Sequence, residues 1–141
     1  MSRYLMGGML AAVMLTAGAV QAHHSFSAEF DSNKPITLKG IVTKVEWTNP
    51  HVWFYVNVKD EKSGEITNWG AEMGPPHGLQ RRGWRRDTLK IGEEVTVIGS
   101  MAKNGSKRMN ARTVTLTSTG GRPGETLGAA SSEGEGAGQQ Q

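Results

Sequence analysis

The sequence contains no cysteine. That absence excludes disulfide staples, zinc–thiolate centres, cysteine nucleophiles and lipids attached through cysteine. Catalytic signatures are missing too: there is no G-x-S-x-G, no H-E-x-x-H and no phosphate-cradling glycine loop. Net charge is small, since 16 basic against 13 acidic side chains leave +3 over 141 residues. An excess of that size does not by itself point to nucleic acid. A chain of this length supplies one modest core.

What is present begins with an address. Arg3 precedes an uncharged apolar run from Gly7 to Val20, and Val20-Gln21-Ala22 forms a small-x-small cleavage site. Residues 1–22 therefore read as a secretory signal peptide, with a mature chain starting at His23 and a periplasmic or extracellular destination. The alternative is an uncleaved anchor, but the run is rich in Gly and Ala and short for a span of ~20 residues. Loss of Arg3 with the leader lowers the net charge to +2. Export also argues against nucleic acid as a partner. At the other end, residues 118–141 are rich in Gly, Ser, Glu and Gln and hold one large apolar residue, Leu127. Such a composition buries too little surface to offset ordering entropy, so a disordered tail is expected there.

Residues 23–33 form an N-terminal segment, and residues 34–117 carry the folding signal. It is a period-2 alternation of β-branched and aromatic residues, the mark of strands. Five strands are expected, at Ile36–Trp47, His51–Lys59, Ile66–Met73, Glu94–Ala102 and Arg108–Thr117. In the first, the apolar set passes from Ile36 and Leu38 to Ile41, Val45 and Trp47, and this change of parity at Gly40 suggests a β-bulge. Asn104-Gly105 is a strong hairpin signal between the last two strands. Between the third and fourth strands, Gly78–Leu89 has apolar residues only at Leu79, Trp84 and Leu89, a spacing that allows a short helix or turn. The order fits an all-β, small five-stranded OB-like barrel, with a β-sandwich as the alternative. OB barrels bind ligands on the face of strands two and three.

Four motifs bear a resemblance. They are His23-His24-Ser25-Phe26, Trp47-Thr48-Asn49-Pro50-His51-Val52-Trp53, Glu72-Met73-Gly74-Pro75-Pro76 and Arg81-Arg82-Gly83-Trp84. In combination the chain resembles an uncharacterised family of small exported bacterial proteins, from His23 to about Leu116. The resemblance implies the fold and the export and adds no catalytic residue.

Three constellations can carry chemistry. A mature His23 would offer an α-amine and an imidazole together, the start of a copper chelate of the histidine-brace kind. His24, His51 and His77 are the candidate further ligands, with Glu29, Asp31 and Glu72 as oxygen donors. The second is the outward row His51, Trp53 and Tyr55, a stacking platform for a sugar, a peptide or another ring. The competing reading has Phe26 to Phe30, or the linker, covering that row as a second small core. The third is Arg81, Arg82, Arg85 and Arg86 around Trp84, a site suited to an anionic small molecule, an envelope component or an acidic partner protein. A solvated basic loop, with Trp84 plugging the end of the barrel, is its structural alternative. His51 and Glu72 become an acid–base pair if their strands are in register. These features favour a non-catalytic binding or accessory module over an enzyme, with copper binding through His23 as the alternative.

Overall fold

In the middle of the chain, alternation sets which side chains turn inward. In the computed structural model, which describes residues 26–117 and 124–131, Val52, Phe54 and Val56 are fully buried while Trp53, Tyr55 and Asn57 stay half-buried. The elements are α1 (Phe26–Glu29), β1 (Phe30–Glu46), β2 (Trp53–Lys59), β3 (Ile66–Glu72), α2 (Pro76–Gln80), β4 (Glu94–Ala102), β5 (Arg108–Leu116) and β6 (Thr126–Gly128). All five expected strands form, and the region between β3 and β4 contains the short helix α2.

The strands make one sheet in the order β3-β2-β1-β4-β5-β6, antiparallel at every neighbouring pair. A short parallel pairing, Gly70 with Arg108 through Glu72 with Asn110, joins β3 to β5 and closes the bonding into a ring. The core lies inside that ring. Phe54, Val97, Met109 and Val114 meet there, and Leu79 and Trp84 from the β3–β4 linker seal it.

The long strand β1 bends where its register slips, between Val42 and Lys44. The slip expected at Gly40 therefore falls a few residues later. Val42 is buried while Ile41 is 41% exposed, and the inward set resumes at Val45 and Trp47. Gly40 serves close approach instead, because a Cβ there would stand 2.5 Å from the Asn57 carbonyl oxygen. The Asn104-Gly105 hairpin forms as expected, with Gly105 at φ 76°.

The expectation of a disordered tail fails for residues 124–131. Strand β6 pairs with β5, and beyond it the Ala129 N–H donates to the Arg112 carbonyl at 2.8 Å. The Ala129 carbonyl accepts from the Gly74 N–H at 2.9 Å. Trp84 Nε1 donates to the Gly128 carbonyl at 2.9 Å, and Ala129 is fully buried. Composition misled here because the segment contributes backbone more than side chains. Small residues let it lie between β5 and the end of β3, where its amides and carbonyls find partners. A Cβ on Gly74 would sit 2.3 Å from the Ala130 oxygen, so that close approach requires glycine.

This strap is part of the fold's stability. Ending the chain after Thr117 removes several backbone hydrogen bonds and uncovers Trp84, a loss on the order of 3 kcal/mol. The melting temperature should fall by at least ~8 °C by calorimetry. Gly74→Ala, which drives a methyl group into Ala130, should lower it in the same direction. Unchanged melting in both variants would show the strap to be passive.

Candidate functional site

The outer surface of β2 and β3 gathers the chemistry. Trp53 pairs with Glu72 and Tyr55 with Gly70 in the β2–β3 ladder. The ladder extends past β2 through the bonds Val52 N to Gly74 O and Met73 N to Val52 O. His51 and Glu72 thereby become same-face diagonal neighbours, as the strand spacing requires. Their side chains meet, with His51 Nδ1 2.8 Å from Glu72 Oε1. The Asn49–Pro50 peptide just before them is cis.

Glu72 is only 5% exposed. Burial pushes its carboxyl up to about 7; Glu29 adds repulsion and the Arg108 charge opposes the rise. One proton held between Glu72 and His51 satisfies the 2.8 Å contact in either location. Further along the face, Tyr55 Oη donates to Glu46 Oε2 at 3.2 Å. Lys44 pairs with Glu46 and stands 5.4 Å from the centre of the Tyr55 ring. The Tyr55 hydroxyl is raised by burial and by Glu46, and Glu46 is lowered by its bond from Lys44.

The cation laid on the aromatic face is Arg108, which the sequence reading had not singled out. Its Cζ is 4.4 Å from the Trp53 ring centre. Arg108 stands on β5, two strands away from β2; the register runs from Tyr55 through Gly70 of β3 to Arg108, and Trp53, paired with Glu72, is its diagonal neighbour on that face. Gly70 carries no side chain to block the reach, and a Cβ there would meet the Tyr55 ring at 3.3 Å and the Trp53 ring at 3.6 Å. A pocket of about 200 Å³ adjoins this face, lined by Arg108, Lys103, Asn104 and Glu29 among others.

The other sequence candidates fall elsewhere. Trp84, offered as the centre of an arginine-ringed ligand site, is 2% exposed and belongs to the core. Its apolar bulk is what seals the end of the sheet. Arg81, Arg82, Arg85 and Arg86 are exposed around it, and among the described residues no cation stacks on it. Arg82 lies by Gly128, against the strap. His77 is exposed on α2, and His23 and His24 lie outside the described residues. Among the described residues no group of three or more His, Cys, Asp or Glu side chains is placed to hold a metal ion. Phe26 and Phe30 stack on each other at 5.8 Å, and Phe30 is buried where β1 pairs with Ala102. Trp53 and Tyr55 remain half-exposed.

A family of unknown function, DUF6152, matches residues 11–111, and the chain belongs to that family. No curated protein matches the chain. Among the described residues no helix is long and apolar enough to cross a membrane.

Glu72 makes stability depend on pH. The folded chain holds its proton up to about pH 7, whereas the ordinary carboxyl releases it near 4.5. Stability is therefore full below about 4.5 and is lost as pH rises through about 7, by an amount on the order of 3 kcal/mol. Glu72→Gln keeps a hydrogen-bonding group for His51 and removes the charge. In urea unfolding, the variant should gain on wild type by about 2 kcal/mol between pH 5 and pH 8. A difference independent of pH would contradict a buried, proton-retaining Glu72.

Proposed function

We propose that the chain is an exported, periplasmic binding or accessory module on an OB-like barrel, with its ligand face on β2 and β3. The ring of strand pairings around a single core supports the barrel, and the apolar leader of residues 7–20 with its small-x-small site supports export. The observation that carries the reading is the Trp53 ring, half-exposed, carrying the Arg108 guanidinium beside the His51–Glu72 pair. Aromatic rings on an open sheet face offer stacking area without the flexibility of a loop. The arrangement is a face of rings holding a cation, and the sequence carries no catalytic signature, so binding is the better reading than catalysis.

Thermal-shift screening with sugars, short peptides and ring compounds tests it. Some compounds should stabilise wild type and leave Trp53→Ala unshifted. Trp53→Ala itself should melt within about 3 °C of wild type, because a half-exposed ring contributes little to the core. A collapse in its stability would make Trp53 a packing residue and remove the binding face.

One observation favours copper binding as a second reading. Glu29 of α1 lines one pocket with Arg108, whose guanidinium lies on Trp53 beside the His51–Glu72 pair, and α1 begins three residues after His23 in the sequence. The α-amine and imidazole of a mature His23, joined by His24 or His51, would form a nitrogen-rich site suited to copper. Mass spectrometry should find His23 as the first residue of the exported chain. Copper should then bind the native start at least ~10-fold more tightly than a chain extended by one residue. Equal affinity for both would remove the chelate.

A further inference from the structure

Resting on the β2–β3 binding face, we propose that the Trp53–Arg108 stack is an oxyanion-docking point, and that the ligand bears a carboxylate or phosphate next to a flat apolar group. Arg108 is the only cation held against Trp53 among the described residues. A guanidinium carries five N–H donors in a rigid plane. Stacking on an indole fixes that plane and leaves its edge donors for a fork-like pair of bonds to an oxyanion.

The neighbours leave those donors uncommitted. Glu72 is the nearby buried carboxylate, but it takes His51 as its partner at 2.8 Å. Glu46 is occupied by Lys44 and Tyr55. Among the described residues the Arg108 guanidinium makes no hydrogen bond or ion pair. Its surroundings favour an anion: from Val95 to Thr117 the chain carries no acidic residue, and this stretch brings Lys103, Lys107 and Arg108 together at the β4–β5 hairpin. Lys107 is held over the Trp69 ring at 5.2 Å. Lys103 and Arg108 both line the 200 Å³ pocket, where Glu29 is the one acidic residue. That volume suits a small oxyanion group, and Arg108 joins the pocket to the half-exposed rings of Trp53 and Tyr55, which offer area for a flat body.

The probes are benzoate, inorganic phosphate and the uncharged benzamide, titrated into the mature protein and followed by calorimetry and by ring-proton shifts in NMR. Benzoate and phosphate should bind, and benzamide at least ~10-fold more weakly than benzoate. Arg108→Gln should weaken benzoate by ~10-fold or more, with Arg108→Lys in between and Arg82→Gln, on the exposed linker, unchanged. Phosphate binding without any advantage for benzoate assigns the oxyanion alone and overturns the flat-body half of the proposal. Equal binding of benzoate and benzamide, both lost in Trp53→Ala, overturns the oxyanion inference and leaves the aromatic face standing. Binding indifferent to both Arg108→Gln and Trp53→Ala, or no binding of any probe, overturns the inference. Indifference to Trp53→Ala also counts against the face.

Discussion

The parallel contact between β3 and β5 is the constraint on which the rest depends. Without it the sheet would be an open ladder with β3 at one edge and the strap at the other. Three residue pairs, Gly70 with Arg108, Ala71 with Met109 and Glu72 with Asn110, convert that ladder into a ring. Closure turns Ala71 and Met109 inward to a common core, where both are fully buried. On the outside, the same register sets Arg108 and Glu72 beside the aromatic row of β2. One strand pairing thus joins the stability of the core to the composition of the face, which is the economy of a closed sheet.

Where strand signals were local they were legible in the sequence. Alternation in Val52, Phe54 and Val56 identified the inward face of β2, and Asn104-Gly105 identified the β4–β5 hairpin. The neighbouring pair His51 and Glu72 was also accessible, because it follows from two antiparallel strands joined by a polar loop. Arg108 was not. Its place beside Trp53 depends on a parallel pairing between strands separated by the whole linker and β4, and no local pattern encodes that. The strap was hidden for a different reason. Its Gly and Ala residues look like entropy to a compositional reading, yet they allow the backbone to approach Gly74 and Arg112 closely enough to bond.

The basic linker shows how a strong sequence motif can divide. Arg81-Arg82-Gly83-Trp84-Arg85-Arg86 reads as one constellation, but its members have opposite fates. The indole goes inward and donates to the strap, while the guanidiniums stay in solvent. A Trp flanked by charges is as well suited to closing a core as to stacking with its neighbours, since its apolar body seals the opening and its N–H needs only one acceptor. In this chain the acceptor came from a segment that the sequence had marked as tail.

Electrostatics on the β2–β3 face rest on which base Glu72 chooses. A buried carboxylate beside both an arginine and a histidine would ordinarily be expected to take the arginine, whose charge does not depend on pH. Here Glu72 pairs with His51, and Arg108 goes to the ring of Trp53. The histidine pair can be neutral as a unit, with one proton between its members, so it avoids the cost of burying a fixed ion pair. Arg108, exposed and stacked, keeps its hydration and its donors. The division places the pH-dependent group inside and the permanent charge outside. That is the arrangement a surface needs if it is to hold a positive group ready for a ligand without destabilising the sheet beneath it.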